Sequence, residues 1–103
     1  MIIKAWNIEL EATDLNEYGI KNYAFDLPYA IAYMCEAVNQ NKLILGGDIV
    51  VSNNGYYVES YDSWYSNQKD PQATLKDALC YLSHIWKTLD SKTDWKVSVV
   101  ISN

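Results

Sequence analysis

The fold is decided by the stretch LILGGDIVVSNNGYYVESY, residues 43–61. Its first part, residues 43–51, is rich in aliphatic and β-branched side chains and predicts a strand. Asn54 and Gly55 both accept the positive backbone angles of a type I′ turn, which favours a tight hairpin after that strand. Residues 56–61 predict the returning strand. The stretch therefore predicts two antiparallel strands joined by a short turn.

Two helices are predicted on either side of this hairpin, each from an aspartate followed by a proline. An aspartate before a helix can accept hydrogen bonds from the unpaired amide groups of the first turn, where a proline is also tolerated. Asp26 precedes a helically spaced apolar repeat and predicts a helix over about 26–40. Asp70 precedes a longer repeat and predicts a helix over about 71–90.

The two ends of the chain complete the expected architecture. After an extended start, apolar residues share one helical face over about 8–18, and Gly19 follows where a left-handed helix end is favoured. Alternating apolar and polar residues predict a strand over about 95–101. Together these elements predict an α+β fold in one domain, residues 1–103. A small antiparallel sheet is expected to pack on one face against about three helices.

The charge balance excludes one large class of function. Thirteen acidic residues face eight basic ones, the net charge is -5, and every basic residue is a lysine. Nucleic-acid binders need a basic stripe to neutralise phosphates, and arginine has the forked donor geometry that suits phosphates and guanine edges. We therefore expect no direct binding to nucleic acid. An acidic surface instead suits a basic partner, whose approach it would steer.

The sequence also bears on where the protein resides. Its apolar runs are too short to cross a bilayer, and the first residues lack the basic start and apolar stretch of a secretion signal. Cys35 and Cys80 fall inside predicted helices, where a reduced cysteine behaves as a small apolar residue. We expect a cytoplasmic protein that does not bind membranes.

The catalytic inventory is poor. His84 is the single histidine, and the spacing around it supplies neither a nucleophile nor an orienting carboxylate. Neither cysteine has a partner at metal-ligand spacing, and the phosphate-binding glycine patterns are absent. We therefore expect no enzyme activity, no cofactor and no metal. One alternative stays open, a small cation-binding, ligand-binding or enzyme domain that uses Asp48, Glu59 and Asp62 near the hairpin.

A binding surface is predicted between residues 43 and 68. This segment has no lysine, and it carries five of the chain's aromatic residues as well as three acidic ones. Successive side chains of a strand point to opposite faces, so only one face of residues 56–61 can reach the core. Tyrosine and tryptophan offer stiff contact area with a polar tip and are enriched at binding hot spots. The candidate contact residues are Asp48, Tyr57, Glu59, Tyr61, Asp62, Trp64 and Tyr65.

Two features leave a structural alternative open. Trp64 could cover the core instead of a partner, and Asp48 could be tied to backbone donors in a turn. The tyrosines could also form an obligate interface within a larger assembly, in which case the isolated chain should associate with itself or precipitate.

Three runs of the sequence resemble a known family. They are Gly-Ile-Lys-Asn-Tyr-Ala at 19–24, Leu-Ile-Leu-Gly-Gly-Asp-Ile at 43–49 and Tyr-Asp-Ser-Trp-Tyr at 61–65. With the long helix and terminal strand that follow, this order resembles the immunity protein 40 family of bacterial polymorphic-toxin systems. The similarity covers about residues 8–101. Ser63 departs from the pattern, because asparagine is expected at that position.

The resemblance implies a cytoplasmic protein that binds a cognate toxin domain and blocks it, with contact-dependent inhibition systems as one setting. Many such toxin domains are nucleases with basic clefts, a partner that suits the acidic composition. The resemblance does not say whether the shared residues contact the toxin or hold the fold. We expect structural roles for Gly46 and Gly47, which allow a bulge or close backbone approach, and for the turn residues Asn54 and Gly55.

Overall fold

The computed structural model describes residues 1–20 and 22–103. Lys21, within the run 19–24, lies outside the described residues. The described strands are β1 (Ile2–Ala5), β2 (Ile8–Glu11), β3 (Thr13–Asp14), β4 (Tyr23–Ala24), β5 (Ile44–Asn53), β6 (Tyr56–Tyr65) and β7 (Trp95–Ile101). The described helices are a short 3-10 helix (Leu15–Tyr18), α1 (Leu27–Asn39) and α2 (Pro71–Thr88).

The main sheet has β5 at its centre, with β6 on one side and β7 on the other, both antiparallel to it. The predicted turn joins β5 to β6, and Asn54 and Gly55 have φ angles of 53° and 86°. A bridge from Phe25 to Val97 continues the hydrogen bonding beyond β7. On the opposite side β6 has no strand neighbour among the described residues, so it forms an edge of the sheet.

Both α-helices pack on one face of this sheet. Met34 of α1 and Leu82 of α2 are buried against Ile49 of β5, in a core that also includes β1 and β2. Asp70 caps α2 as predicted, because its carboxylate accepts a hydrogen bond from the amide of Ala73 at 3.0 Å. Asp26 precedes α1 but makes no such cap.

The predicted helix over 8–18 is wrong. Residues Ile8–Glu11 instead pair with Ile2–Ala5 as an antiparallel hairpin, and only Leu15–Tyr18 is helical, as a single 3-10 turn. The alternation of apolar residues from Ile2 to Leu10, which is typical of a strand, prevailed over the helical spacing that begins at Ile8. The end at Gly19 is confirmed, with φ of 83°.

The end of the misassigned segment, together with β4, covers the second face of the sheet. Leu15 and Ala24 are fully buried against Val50 of β5, with the partly buried Tyr18 and Tyr57 beside them. This second, smaller core explains why the central strand has buried side chains on both faces. It covers the end of β5 and β6 near their turn.

The α+β class and its antiparallel sheet are therefore confirmed, and the expectation of about three helices and a sheet covered on one face is corrected. The described residues contain two α-helices and one 3-10 turn, and two additional two-stranded sheets, β1–β2 and β3–β4, accompany the main sheet. The predicted returning strand also continues to Tyr65, four residues beyond the expected end.

Candidate interaction surface

The glycine pair in β5 lets the neighbouring strand approach closely. A Cβ built at Gly47 would overlap the ring of Trp64 and the carbonyl oxygen of Ser98, and one built at Gly46 would overlap the carbonyl oxygen of Trp64. Backbone atoms cannot move away as the end of a flexible side chain can. The glycines thus make room for Trp64, which supports the structural role expected for them.

Trp64 lies on the helix-covered face and belongs to the core. It is 8% exposed, and its ring stacks on Tyr81 of α2 with centroids 5.3 Å apart. Its indole Nε1 is buried and has no hydrogen-bond partner in the described structure. The ring attaches β6 to α2 and fixes the position of the strand around it.

A large β-bulge interrupts β6 three residues before its end. Asp48 pairs with Ser63 and Val50 pairs with Glu59, so Ile49 alone faces the three residues from Ser60 to Asp62. A hydrogen bond from the Ser60 hydroxyl to the Ile49 carbonyl, 3.0 Å, fastens the bulge to β5. Bulges of this kind bend a strand and redirect its side chains.

Tyr61 occupies the middle of the bulge in a left-handed conformation. Its φ is 67° and its side chain is 95% exposed. The left-handed region costs a residue with a Cβ about 1–2 kcal/mol. Because the ring is exposed, packing within this chain does not offset that cost.

Acidic side chains flank Tyr61 on both sides. Glu59 and Asp62 are exposed, and Asp48 on the central strand is half-buried between Ser63 and Ser98. Burial raises the pKa of Tyr81, and the negative charges of Asp62 and Asp48 raise it further. The charges of these two carboxylates therefore also act on Tyr81 of α2.

Tyr57 contacts other side chains of this chain and is only partly exposed. Its ring packs edge-on against Tyr18 with centroids 5.8 Å apart, and its hydroxyl donates to Asp94 at 2.8 Å. Lys96 lies 5.7 Å from the ring centroid and pairs with Asp26 at 2.6 Å. Burial raises the pKa of Tyr57 and the hydrogen bond to Asp94 raises it further. Burial lowers the pKa of Lys96, but the hydrogen bond and charge of Asp26 outweigh it and raise that pKa.

Tyr65 borders a shallow hollow at the far end of the strand. It is 78% exposed and lies opposite Gly46, and both residues border a depression of about 300 Å³. The exposed side chains of Leu45 and Val100 line the same depression, with Asp48 and Ser63. This part of the sheet lies beyond the small core that covers Val50.

The candidates predicted from sequence thus divide into two groups. Four of them lie exposed together on the edge strand, and we call them the bulge surface: Glu59, Tyr61, Asp62 and Tyr65. Trp64 and Tyr57 instead pack against other parts of this chain, and Asp48 lies between the groups. The sequence analysis predicted neither the bulge nor the role of Ser60 in holding it. The one indication in the sequence is that serine and aspartate side chains can form hydrogen bonds with nearby backbone groups.

The remaining candidates for catalysis or metal binding are the cysteines, the histidine and the acidic residues. Cys35 and Cys80 are free and exposed, and His84 is exposed on α2. In the described part of the chain, no three histidine, cysteine or acidic side chains come together as metal ligands would. Glu59 lies just before the bulge and Asp62 is its last residue, and neither pairs with Asp48, which lies opposite Ser63. None of the described helices is long and apolar enough to span a membrane.

Comparison with known proteins gives one match. The family model described as Immunity protein 40 matches residues 14–100, which is most of the chain. The match runs from the last residue of β3 to the penultimate residue of β7 and includes the whole bulge surface. No curated protein and no solved structure matches the chain significantly.

Proposed function

The chain belongs to the Immunity protein 40 family, and on that premise we propose that it binds a cognate bacterial toxin domain and neutralises it through the bulge surface. The observation that carries the proposal is the juxtaposition of exposed tyrosines with exposed carboxylates on a strand edge. Tyr61 and Tyr65 lie there with Glu59 and Asp62. We expect the protein to act by binding alone, without catalysis of its own.

The two kinds of side chain serve different steps of binding. Exposed carboxylates speed the encounter with a basic partner, because opposite charges steer diffusion. Tyrosine rings slow dissociation, because each buries a large apolar area with little loss of conformational entropy. The absence of lysine from residues 43–68 keeps repulsion of a basic partner out of this surface.

We propose further that the toxin domain is a nuclease. A cleft that holds nucleic acid must attract phosphates, so it carries lysine and arginine side chains. Glu59 and Asp62 would occupy the positions of phosphate groups in such a cleft, and the tyrosines would cover its rim. The inhibitor would then exclude the substrate by occupying its site.

The expected size of the interface implies a second contact element. A stable complex buries about 1,600 Å² in total, roughly 20–30 residues a side. The bulge surface is smaller than that. We therefore expect exposed residues of α2, which packs against β6, to extend the contact.

We expect the protein to act in the cytoplasm of the cell that makes it, because a nuclease toxin does its damage there. The setting would be a polymorphic-toxin system, with contact-dependent inhibition as one such arrangement.

The test is co-expression with the toxin domain encoded immediately upstream of this chain. The wild-type chain should protect growing cells, and it should bind a catalytically inactivated form of that domain in calorimetry. The double substitution Glu59→Lys and Asp62→Lys should weaken binding more than tenfold, because two attractive charges become repulsive.

The matched control reverses two exposed acids elsewhere, Glu9→Lys and Asp90→Lys, which changes the net charge by the same amount. It should bind nearly as tightly as the wild type. Failure of the wild-type chain to bind or protect would contradict the proposed function. Equal weakening by both pairs would show that net charge matters and the bulge surface does not. Protection without any effect on cleavage of DNA or RNA by the toxin would contradict the nuclease assignment.

A further inference from the structure

Resting on the proposed function, we infer that the bulge in β6 is a device that holds Tyr61 outward as the anchor of the complex, and that this ring enters a pocket of the toxin domain lined by lysine or arginine side chains. The inference commits to one residue, to one mode of docking and to the chemistry of the pocket. The anchor is a contact residue of the interface and has no catalytic part.

The first argument is the uncompensated backbone conformation of Tyr61. Among the described residues, four that are not glycine have positive φ: Trp6, Asn41, Asn54 and Tyr61. Asparagine tolerates this region well. Trp6 gains packing in return, since its ring stacks on Tyr33 with centroids 5.7 Å apart. Tyr61 is alone in combining a strained backbone with a ring that is 95% exposed.

Strain of this kind persists only where the surrounding structure enforces it. Here the Ser60 hydroxyl holds the bulge to the Ile49 carbonyl at 3.0 Å and accepts from the amide of Asp62 at 3.3 Å. On the far side the buried ring of Trp64 fixes the strand against α2. The bulge is therefore held at both ends, and the ring of Tyr61 is presented with its backbone already ordered, which lowers the entropic cost of binding.

The bulge also decides between two modes of docking at this edge. A free edge strand can accept a strand from a partner, and long regular edges favour that mode. In β6 the three residues opposite Ile49 break the regular pairing, leaving Tyr56–Glu59 and Ser63–Tyr65 on either side. Neither remaining piece is long enough to be a good template. Recognition at this edge therefore proceeds through side chains, and Tyr61 is the most exposed large hydrophobic residue among them.

The chemistry of the pocket follows from the charged residues close to Tyr61 in the sequence. Glu59 lies two residues before Tyr61 and Asp62 one residue after it, and the face of a tyrosine ring attracts cations. A cationic side chain can contact the ring and a neighbouring carboxylate together. An apolar pocket would instead have to desolvate both carboxylates without partners, which is costly. A pocket lined by lysine or arginine satisfies the ring and both acids.

The experiment compares Tyr61→Gly with the wild type in two measurements. Glycine removes the ring and relieves the strain, so the melting temperature should stay equal or rise. Affinity for the inactivated toxin domain encoded immediately upstream should fall about 30-fold or more, as for a binding hot spot. Tyr65→Gly is the matched stability control, since its backbone has no positive φ. Glycine in an ordinary strand position should lower the melting temperature by several degrees.

Two more variants test the chemistry. Tyr61→Phe keeps the ring and should bind within about fivefold of the wild type, whereas Tyr29→Ala, an exposed tyrosine of α1, should not change binding. If the wild type binds and Tyr61→Gly binds equally well, the anchor is overturned while the proposed function stands. A drop in the melting temperature of Tyr61→Gly overturns the strain argument, and a Tyr61→Phe loss as large as that of Tyr61→Gly overturns the ring–cation contact. If the wild type itself does not bind, the proposed function fails and the anchor with it.

Discussion

The two ends of β6 carry the same kinds of residue in different surroundings. Near the turn, Tyr57 packs against Tyr18 and donates to Asp94, under the small core built on Leu15. Within and beyond the bulge, Tyr61 and Tyr65 have no such cover and are 95% and 78% exposed. Residue type alone therefore does not separate a core tyrosine from a surface one. The difference is whether the small core around Leu15 covers that part of the sheet.

The largest expected effect is a difference in stability between variants of two adjacent aromatic residues beyond the bulge, Trp64 and Tyr65. Trp64→Ala should lower the free energy of unfolding by about 3–5 kcal/mol, because it leaves a cavity beside Tyr81 and the glycine pair. Tyr65→Ala should change it by less than about 0.5 kcal/mol, since an exposed ring loses little when removed. Urea denaturation followed by circular dichroism measures both. Similar values for the two variants would contradict the division of this strand into a core face and a free face.

The features predicted correctly from sequence are those that local chemistry determines. The Asn54–Gly55 turn follows from two residues that accept positive φ, and the start of α2 follows from the Asp70 cap. Each signal lies within a few residues of the structure it specifies. The hairpin and the long helix could therefore be assigned without any knowledge of what packs against them.

The features that were missed depend on partners distant in sequence. Ile8 and Leu15 fit a helical face, yet their positions are set by pairing with β1 and by burial against Val50. The bulge was not predictable either, because residues 59–63 contain neither glycine nor proline. Its position depends on the register with β5, where the glycine pair receives Trp64. A candidate list could be drawn from composition, but separating contacts from core residues required the tertiary structure.

The next largest effect tests the end of β6 near the turn, where the small core around Leu15 covers the sheet. Leu15→Ala should lower the free energy of unfolding by about 2–3 kcal/mol, because Leu15 is fully buried against Val50. It should also increase the exposure of Tyr57, measured from the assigned ring resonances of Tyr57 in NMR spectra. Ile20→Ala, at the partly buried rim of the same cluster, is the milder comparison. If Leu15→Ala lowers the free energy of unfolding by less than about 1 kcal/mol, the cluster around Leu15 does not act as a second core.

The smallest effect concerns how Tyr57 responds to alkaline pH. Its pKa is raised in the folded protein above the ordinary value of 10.0, first by burial and then by the hydrogen bond to Asp94. The folded state therefore holds this proton more tightly than the unfolded state. The resulting stabilisation is fully present below about pH 10 and is lost as pH rises through the folded pKa.

Tyr57→Phe removes the titrating group, so its free energy of unfolding should fall less steeply above pH 10 than that of the wild type. Asp94→Asn removes the second cause and keeps the first, so its slope should lie between the two. Denaturation at a series of pH values from about 9 to 11 measures the three slopes. Equal slopes would mean that Tyr57 titrates alike in the folded and unfolded chain, and the covered end of β6 would then shield its tyrosine no better than the free end does.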